Sequence, residues 1–237
     1  MTPSPAEAQA LADVLDQARC LLIDFDGPIC DIYAGLTDST VADRLRKVIT
    51  GQGVAMPDQT TNSHDPIAVF DYAATVSPAL GELIEAEMTG QEVEAVATAR
   101  PVPYVHEVVT SARGTGRLIA VVSNNSERAV RAYLDQHGLA DRVDLVSART
   151  TADPALLKPS PHLLEQAIGG LDASPAECVI IGDSVTDVQA ARTAGIRSIG
   201  YANTPGKRDA FAAEHATAII DSLADLVLPL RSRPLPN

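Results

Sequence analysis

Asp24 and Asp26 stand one residue apart at the end of the apolar run Leu21-Leu22-Ile23, with Gly27-Pro28 directly behind them. Two carboxylates at the end of a strand that is apolar at successive positions are costly unless they hold a cation or take part in a reaction. Asp26-Gly27 also spells a tight hairpin turn. A hairpin needs a returning strand, however, and residues 31–47 read as a loop followed by a helix, which favours a site. Three further polar groups follow: Ser123 with Asn124-Asn125, then Lys158-Pro159, then Gly182-Asp183-Ser184-Val185-Thr186-Asp187. Each has an ordinary explanation when taken singly. Asn124 with Glu127, and Ser184 with Asp187, fit helix capping boxes. Ser160-Pro161 is a common helix start, beside which Lys158 reads equally well as a solvated loop lysine.

The elements around these groups decide how they are read together. Residues 5–19 form an amphipathic helix through Leu11, Val14, Leu15 and Ala18. After the Asp24 strand the pattern is helical for a long stretch. Leu36, Val41, Leu45, Val48 and Ile49 share one face, 54–64 is a polar loop, and Asp65-Pro66 and Ser77-Pro78 each start a further helix. Within the helix that starts at Asp65-Pro66, Ile67, Val69, Phe70 and Ala74 turn inward. Pro101-Val102-Pro103 ends the series. From there strands at 118–122, 143–146, 178–181, 197–201 and 218–220 alternate with helices, as in βαβ units around a parallel sheet. The tail 231–237 is proline-rich and reads as frayed. In such sheets ligands sit beyond the carboxyl ends of the strands, where all four polar groups fall. Two carboxylate pairs, a hydroxyl and a lysine on one sheet edge make a metal site with anion-binding groups, the equipment of phosphoryl transfer.

Asp24-Phe25-Asp26-Gly27, Ser123, Lys158 and the Gly182–Asp187 segment, in that order and with a helical insertion after the first, resemble the four motifs of the haloacid dehalogenase (HAD) superfamily. The resemblance covers nearly the whole chain. It implies an α/β fold: a Rossmannoid three-layer sandwich with a central parallel sheet (1–30 and 101–237) and an inserted all-helical C1 cap (31–100). It implies that Asp24 attacks phosphorus and that Asp26 serves as acid and then base. Lys158 adds positive charge, while Ser123, Asn124 and the amide of Gly27 bind the substrate phosphate. Mg²⁺ is implied on Asp24, the carbonyl of Asp26 and Asp183, with Asp187 and Ser184 in support around it. Pro28 departs from the family, which usually carries Thr or Val there, and removes a backbone donor. An acid at position 26 points to phosphate monoesters, because family members that act on halides or phosphonates lack it.

The remaining features bound the function. A formal charge of -13 argues against nucleic acid and anionic membrane as partners. The odd set Cys20, Cys30 and Cys178 lacks metal-type spacing and reads as free thiols in a reducing compartment. No leader-like segment or membrane-length apolar run is read, so a cytoplasmic protein is expected. Lys47 reads as a solvated helix residue, and the five histidines are scattered, with His64 in a cap loop. The expected activity is a Mg²⁺-dependent phosphatase acting on a small phosphorylated metabolite, of the phosphoglycolate-phosphatase-like kind. A phosphomutase of the β-phosphoglucomutase kind and a non-catalytic phosphometabolite-binding regulator are the alternatives. Nothing in the sequence sets an oligomeric state.

Overall fold

The computed structural model describes residues 4–232. Helix α1 (Pro5–Asp16) leads into β1 (Cys20–Ile23) and the short β2 (Cys30–Asp31). Four helices follow: α2 (Asp38–Gly51), α3 (Asp58–Thr61), α4 (Pro66–Val76) and α5 (Pro78–Val96). The chain then returns through β3 (Arg100–Pro101) to α6 (Val105–Gly114), β4 (Leu118–Ser126), α7 (Glu127–Gln136) and β5 (Leu145–Arg149). Its last part comprises α8 (His162–Gly170), β6 (Cys178–Gly182), α9 (Val185–Ala194), β7 (Arg197–Tyr201), α10 (Lys207–Ala213), β8 (Ala218–Ile220) and α11 (Ala224–Ser232).

Six strands form one parallel sheet in the order β5-β4-β1-β6-β7-β8. The strand that carries the first carboxylates lies between β4 and β6, with Ile23 paired to Val121 and to Ile181. Every residue of β1 is buried, because both faces are covered. Leu21 and Ile23 pack in the cluster that contains Leu15, Val109 and Val130, and Leu22 packs in the other, with Leu164 and Ala190. Each such buried aliphatic side chain contributes roughly 1.5–3 kcal/mol. Helices on both faces of the sheet give the three layers expected of the α/β sandwich.

Helices α2, α4 and α5 contribute Val41, Phe70 and Met88 to the same cluster as Leu22, Val122 and Ile180. Their starts follow the sequence signals. Asp65 caps α4 through the Ile67 amide, Ser77 caps α5 through the Leu80 amide, and a proline occupies the first turn of each. The ends of the helical stretch are tied by the antiparallel β2–β3 pair, in which Cys30 faces Pro101 and Asp31 faces Arg100.

Several elements differ from the sequence reading. Strand β4 runs on to Ser126, past the apolar residues, because its polar end still pairs with β5 across a register shift between Ser123 and Ser126. Strand β5 begins at Leu145 and extends to Arg149, where Ser147, Ala148 and Arg149 are buried; an apolar run cannot announce such a strand. The 54–64 segment contains the single-turn helix α3. In α4 Ala73, rather than Ala74, turns inward. Arg231 and Ser232 belong to α11, and the rest of the tail expected to fray, 233–237, lies outside the described residues. The three cysteines are free and buried. Cys20 and Cys178 are neighbours in register on β1 and β6, a juxtaposition that their spacing in sequence hides. No helix among the described residues is long and apolar enough to cross a membrane.

Candidate active site

Strand β1 ends at Ile23, and Asp24 leaves the sheet still bonded through its N–H to the carbonyl of Ile181. Its carboxylate accepts the Phe25 amide at 2.7 Å and meets Lys158 Nζ at 2.8 Å. Lys158 is 5% exposed and has all three ammonium protons engaged: with Asp24, with Asp187 Oδ1 at 2.6 Å, and with the carbonyl of Val122 at 3.3 Å. Asp187 lies in the first turn of α9, where Oδ2 accepts the Ser184 amide at 3.0 Å while the Ser184 hydroxyl accepts from Thr186. The capping box and the contact with lysine therefore coexist, one carboxylate oxygen serving each.

Two glycines let these carboxylates close in. A Cβ on Gly27, which has φ +103, would collide with the Asp183 carboxylate, and a Cβ on Gly182 would collide with that of Asp187. Carboxylate oxygens of Asp24, Asp183 and Asp187 all lie within 4.8 Å of one another. Hard oxygen donors at this spacing suit a small divalent cation. Asp187 is committed to Lys158 and Ser184, which leaves Asp24 and Asp183 as the carboxylates open to a metal. Asp183 Oδ2 also receives Lys207 Nζ at 2.5 Å and Asn203 Nδ2 at 3.1 Å, two partners from the segment after β7.

The electrostatics follow from crowding in a dry place. Burial pushes the Asp24 carboxyl well above its usual range, the charge of Asp187 pushes it further, and Lys158 pulls back. Asp26 is raised to about 7, mainly by burial, with the Ile32 amide opposing the shift and Asp183 adding to it. Burial works against the Lys158 ammonium, but Asp187 and Asp24 outweigh it and hold the lysine protonated.

The cavity in front of these groups has a volume of about 290 Å³. Asp24, Asp26, Ser123, Asn124, Lys158, Asp183 and Ser184 all line it, so the residues singled out in the sequence converge, Gly27 and Asp187 lying just behind. Three of them are engaged differently from the expectation. The Gly27 amide donates to the Cys30 carbonyl at 2.7 Å, which leaves it no proton for a phosphoryl oxygen. The Asn124 side chain clasps the backbone of Lys158, donating to its carbonyl at 3.1 Å and accepting its amide at 2.8 Å. That places Asn124 as the support of Lys158. Asn124 does not form a capping box with Glu127, since Ser126 is the N-cap of α7. Ser123, 1% exposed, exchanges hydrogen bonds with Asn125.

Other groups at the site had no sequence signal. Tyr33, Asp38, Asp65 and Ile67 line the cavity from the helical stretch. Behind the Ser123–Ser126 segment, Glu92 of α5 accepts from Asn125 Nδ2 at 3.2 Å and from the Ser126 amide at 2.8 Å. Arg149 bonds Glu92 at 2.7 Å, Glu85 at 2.5 Å and the Asn124 carbonyl at 3.1 Å. His64 and Lys47 are exposed.

Comparison with known proteins agrees with this arrangement. A phosphoglycolate phosphatase of Vibrio vulnificus is 25% identical over 227 residues, covering 89% of this chain and 95% of that protein. A phosphoglycolate phosphatase of Cupriavidus necator is 28% identical over 230 residues, covering 94% and 89%. The crystal structure of CbbY from Rhodobacter sphaeroides in complex with phosphate superposes with a TM-score of 0.65 at 21% identity, covering 88% of this chain and 99% of that one. The family profile of haloacid dehalogenase-like hydrolases matches residues 18–195, a span that holds all four polar groups of the sheet edge. With that match added to the parallel sheet and the converging carboxylates, the chain belongs to the haloacid dehalogenase-like hydrolases.

Proposed function

We propose that this protein is a phosphatase that hydrolyses a small phosphate monoester through a phosphorylated Asp24. The observation that carries the reading is the placement of Asp24: on the floor of a cavity, 2.8 Å from a buried ammonium, beside a second carboxyl, Asp26, that is raised to about 7. A carboxyl raised this far holds a proton near neutrality and can both give it up and take it back. Asp24 attacks phosphorus, the ester P–O bond breaks, and Asp26 protonates the departing alkoxide. As a carboxylate, Asp26 then removes a proton from the water that attacks the aspartyl-phosphate, which frees inorganic phosphate and restores Asp24. Ser123 donates its hydroxyl to a phosphoryl oxygen by turning its one proton away from Asn125 Oδ1, and Lys158 offsets the charge between two anions that would otherwise repel.

Asp24, Asp183 and the Asp26 carbonyl would hold Mg²⁺, which supplies Lewis-acid charge neutralisation at the phosphoryl group. Residues 31–100 are read as a cap domain over a core of 1–30 and 101–237, whose enclosed space of about 290 Å³ suits a metabolite rather than a macromolecule. The relatives named phosphoglycolate phosphatase support the phosphatase class. The decisive experiment uses Asp26→Asn, which keeps the nucleophile and removes the acid and base. Hydrolysis of an alkyl phosphate should fall about 10²–10⁴-fold. With an activated aryl ester, acid quenching and mass mapping should find phosphate on Asp24. Phosphate on Ser123 instead, or wild-type alkyl-ester rates, would sink the mechanism.

A further inference from the structure

The cavity is built from two unlike halves. Its floor holds the reacting carboxylates with Lys158, and its other wall comes from Tyr33, Asp38 and residues 65–67 of the helical stretch. Among the described residues that line it, Lys158 is the one lysine or arginine, and its protons are already taken by Asp24, Asp187 and Val122. The far wall presents two carboxylates, Asp38 and Asp65, and the ring of Tyr33. Arg46 of α2 does not contribute there, since it is spent on the Ser63 carbonyl and on Asp43.

Both carboxylates also occupy helix N-termini. Asp38 opens α2 and accepts the Ser39 amide at 2.7 Å; Asp65 caps α4 and accepts the Ile67 amide at 2.8 Å. A free helix N-terminus attracts anions, and here the chain fills both positions with its own. A second carboxylate or phosphate on the ligand would meet negative charge on that wall and no free cation. A cation would meet two carboxylates and an aromatic face. Tyr33 stays a neutral phenol, because burial and then the charge of Glu92 push its ionisation upward. Burial raises Asp65, and the charge of Asp38 adds to the shift, a pairing that a nearby cation would relieve. The chain's formal charge of -13 opposes any dianion arriving without compensation.

We propose that the substrate is a phosphate monoester whose alcohol portion carries a protonated amine, which Asp38, Asp65 and Tyr33 recognise. This rests on the phosphatase reading above and separates the chain from the relatives named for phosphoglycolate, an ester whose alcohol portion ends in a carboxylate. Thr37 is the N-cap of α2, and the capping role of Asp65 in α4 needs only an oxygen, so asparagine at either position removes the charge and leaves both caps in place.

The test is kcat/KM of the full chain with Mg²⁺ for three esters: phosphoethanolamine, glycerol phosphate and phosphoglycolate. p-Nitrophenyl phosphate reports on the chemistry itself. The expected order is amine, then neutral, then carboxylate, with at least about tenfold between the ends, as for one attractive charge contact exchanged for a repulsive one. Asp65→Asn and Asp38→Asn should each shrink the ratio of amine to carboxylate rates, and the double variant should bring it close to one. Turnover of p-nitrophenyl phosphate with phosphoglycolate or glycerol phosphate preferred would overturn the amine assignment and leave the phosphatase standing. No phosphate released from any of the four would overturn both.

Discussion

Arg149 and Lys158 are both buried cations, each meeting two carboxylates, yet their surroundings differ. Arg149 has a side chain with 0% exposure and faces Glu92, equally buried, and Glu85 at 20%. The charge of Glu92 is further met by N–H groups of Asn125 and Ser126. Around Lys158 the carboxylates of Asp24, Asp183 and Asp187 face one another, and burial and Asp187 push Asp24 upward. Carboxylates surrounded by donors form a fixture; carboxylates crowded against each other in a cavity call for something from outside. The first cluster joins α5 to the Ser123–Ser126 segment, and the second is where the proposed function puts phosphate and a metal.

The contrast is broken most severely at Asp24. Asp24→Asn should reduce phosphate release on the order of 10⁴-fold or more, as for loss of a nucleophile that acts with its neighbours. Its melting temperature should stay level or rise, because a buried carboxylate has been removed from a crowded group. Phosphate-release assays and thermal melts on the same sample check both halves. A variant that lost activity only by unfolding would erase the distinction between the two clusters.

The complementary change is Arg149→Met, which strands Glu92 without its partner in a dry interior. A loss of about 3–5 kcal/mol is expected on breaking a buried pair, read from denaturant midpoints at unchanged slope. Arg149→Met with Glu92→Met should recover most of it, since replacing both charges by apolar side chains removes the desolvation problem. If the single variant were as stable as the parent, the cluster would not be the fixture described.

A smaller effect tests the second cluster through pH. Asp24 is raised and Asp26 is raised to about 7, so both contribute stability in the protonated form. That contribution is complete below the unfolded carboxylate value near 3.8 and lost as pH climbs through about 7. In EDTA the protein should therefore lose stability between about pH 4 and pH 7. Mg²⁺ at a hundred times its dissociation constant should return about 2.7 kcal/mol at neutral pH. Melts in EDTA that do not depend on pH across this range would remove the crowding from the account.

The floor of the site was legible in the sequence because its residues end apolar strands or open helices. Asp24 follows Leu21–Ile23, and Asp183 follows Cys178–Ile181, so a strand edge announces each. The far wall was not. Asp65 reads as an ordinary helix start, which it is, Asp38 carries no signal of its own, and only the path of the chain turns them toward the cavity. The Arg149–Glu92 pair was hidden for two reasons. Glu92 is one of several glutamates in α5, and its face can be chosen only once the packing of Met88, Ala95 and Val96 is known. Arg149 ends a strand whose apolar run is broken at Ser147, and its partners lie far back in the chain.

The position of β1 in the sheet also governs how the protein is made. Its neighbours β4 and β6 begin at Leu118 and Cys178, so the central strand leaves the ribosome long before either can pair with it. Helices α2 to α5 are synthesised in the interval and, being local, can form first. Asp24 is thus made with the earliest part of the core, while Lys158 emerges more than half a chain length later and reaches it only when the sheet closes. A nascent chain that stops short of β6 lacks Asp183 and Asp187 as well, and so has no assembled site.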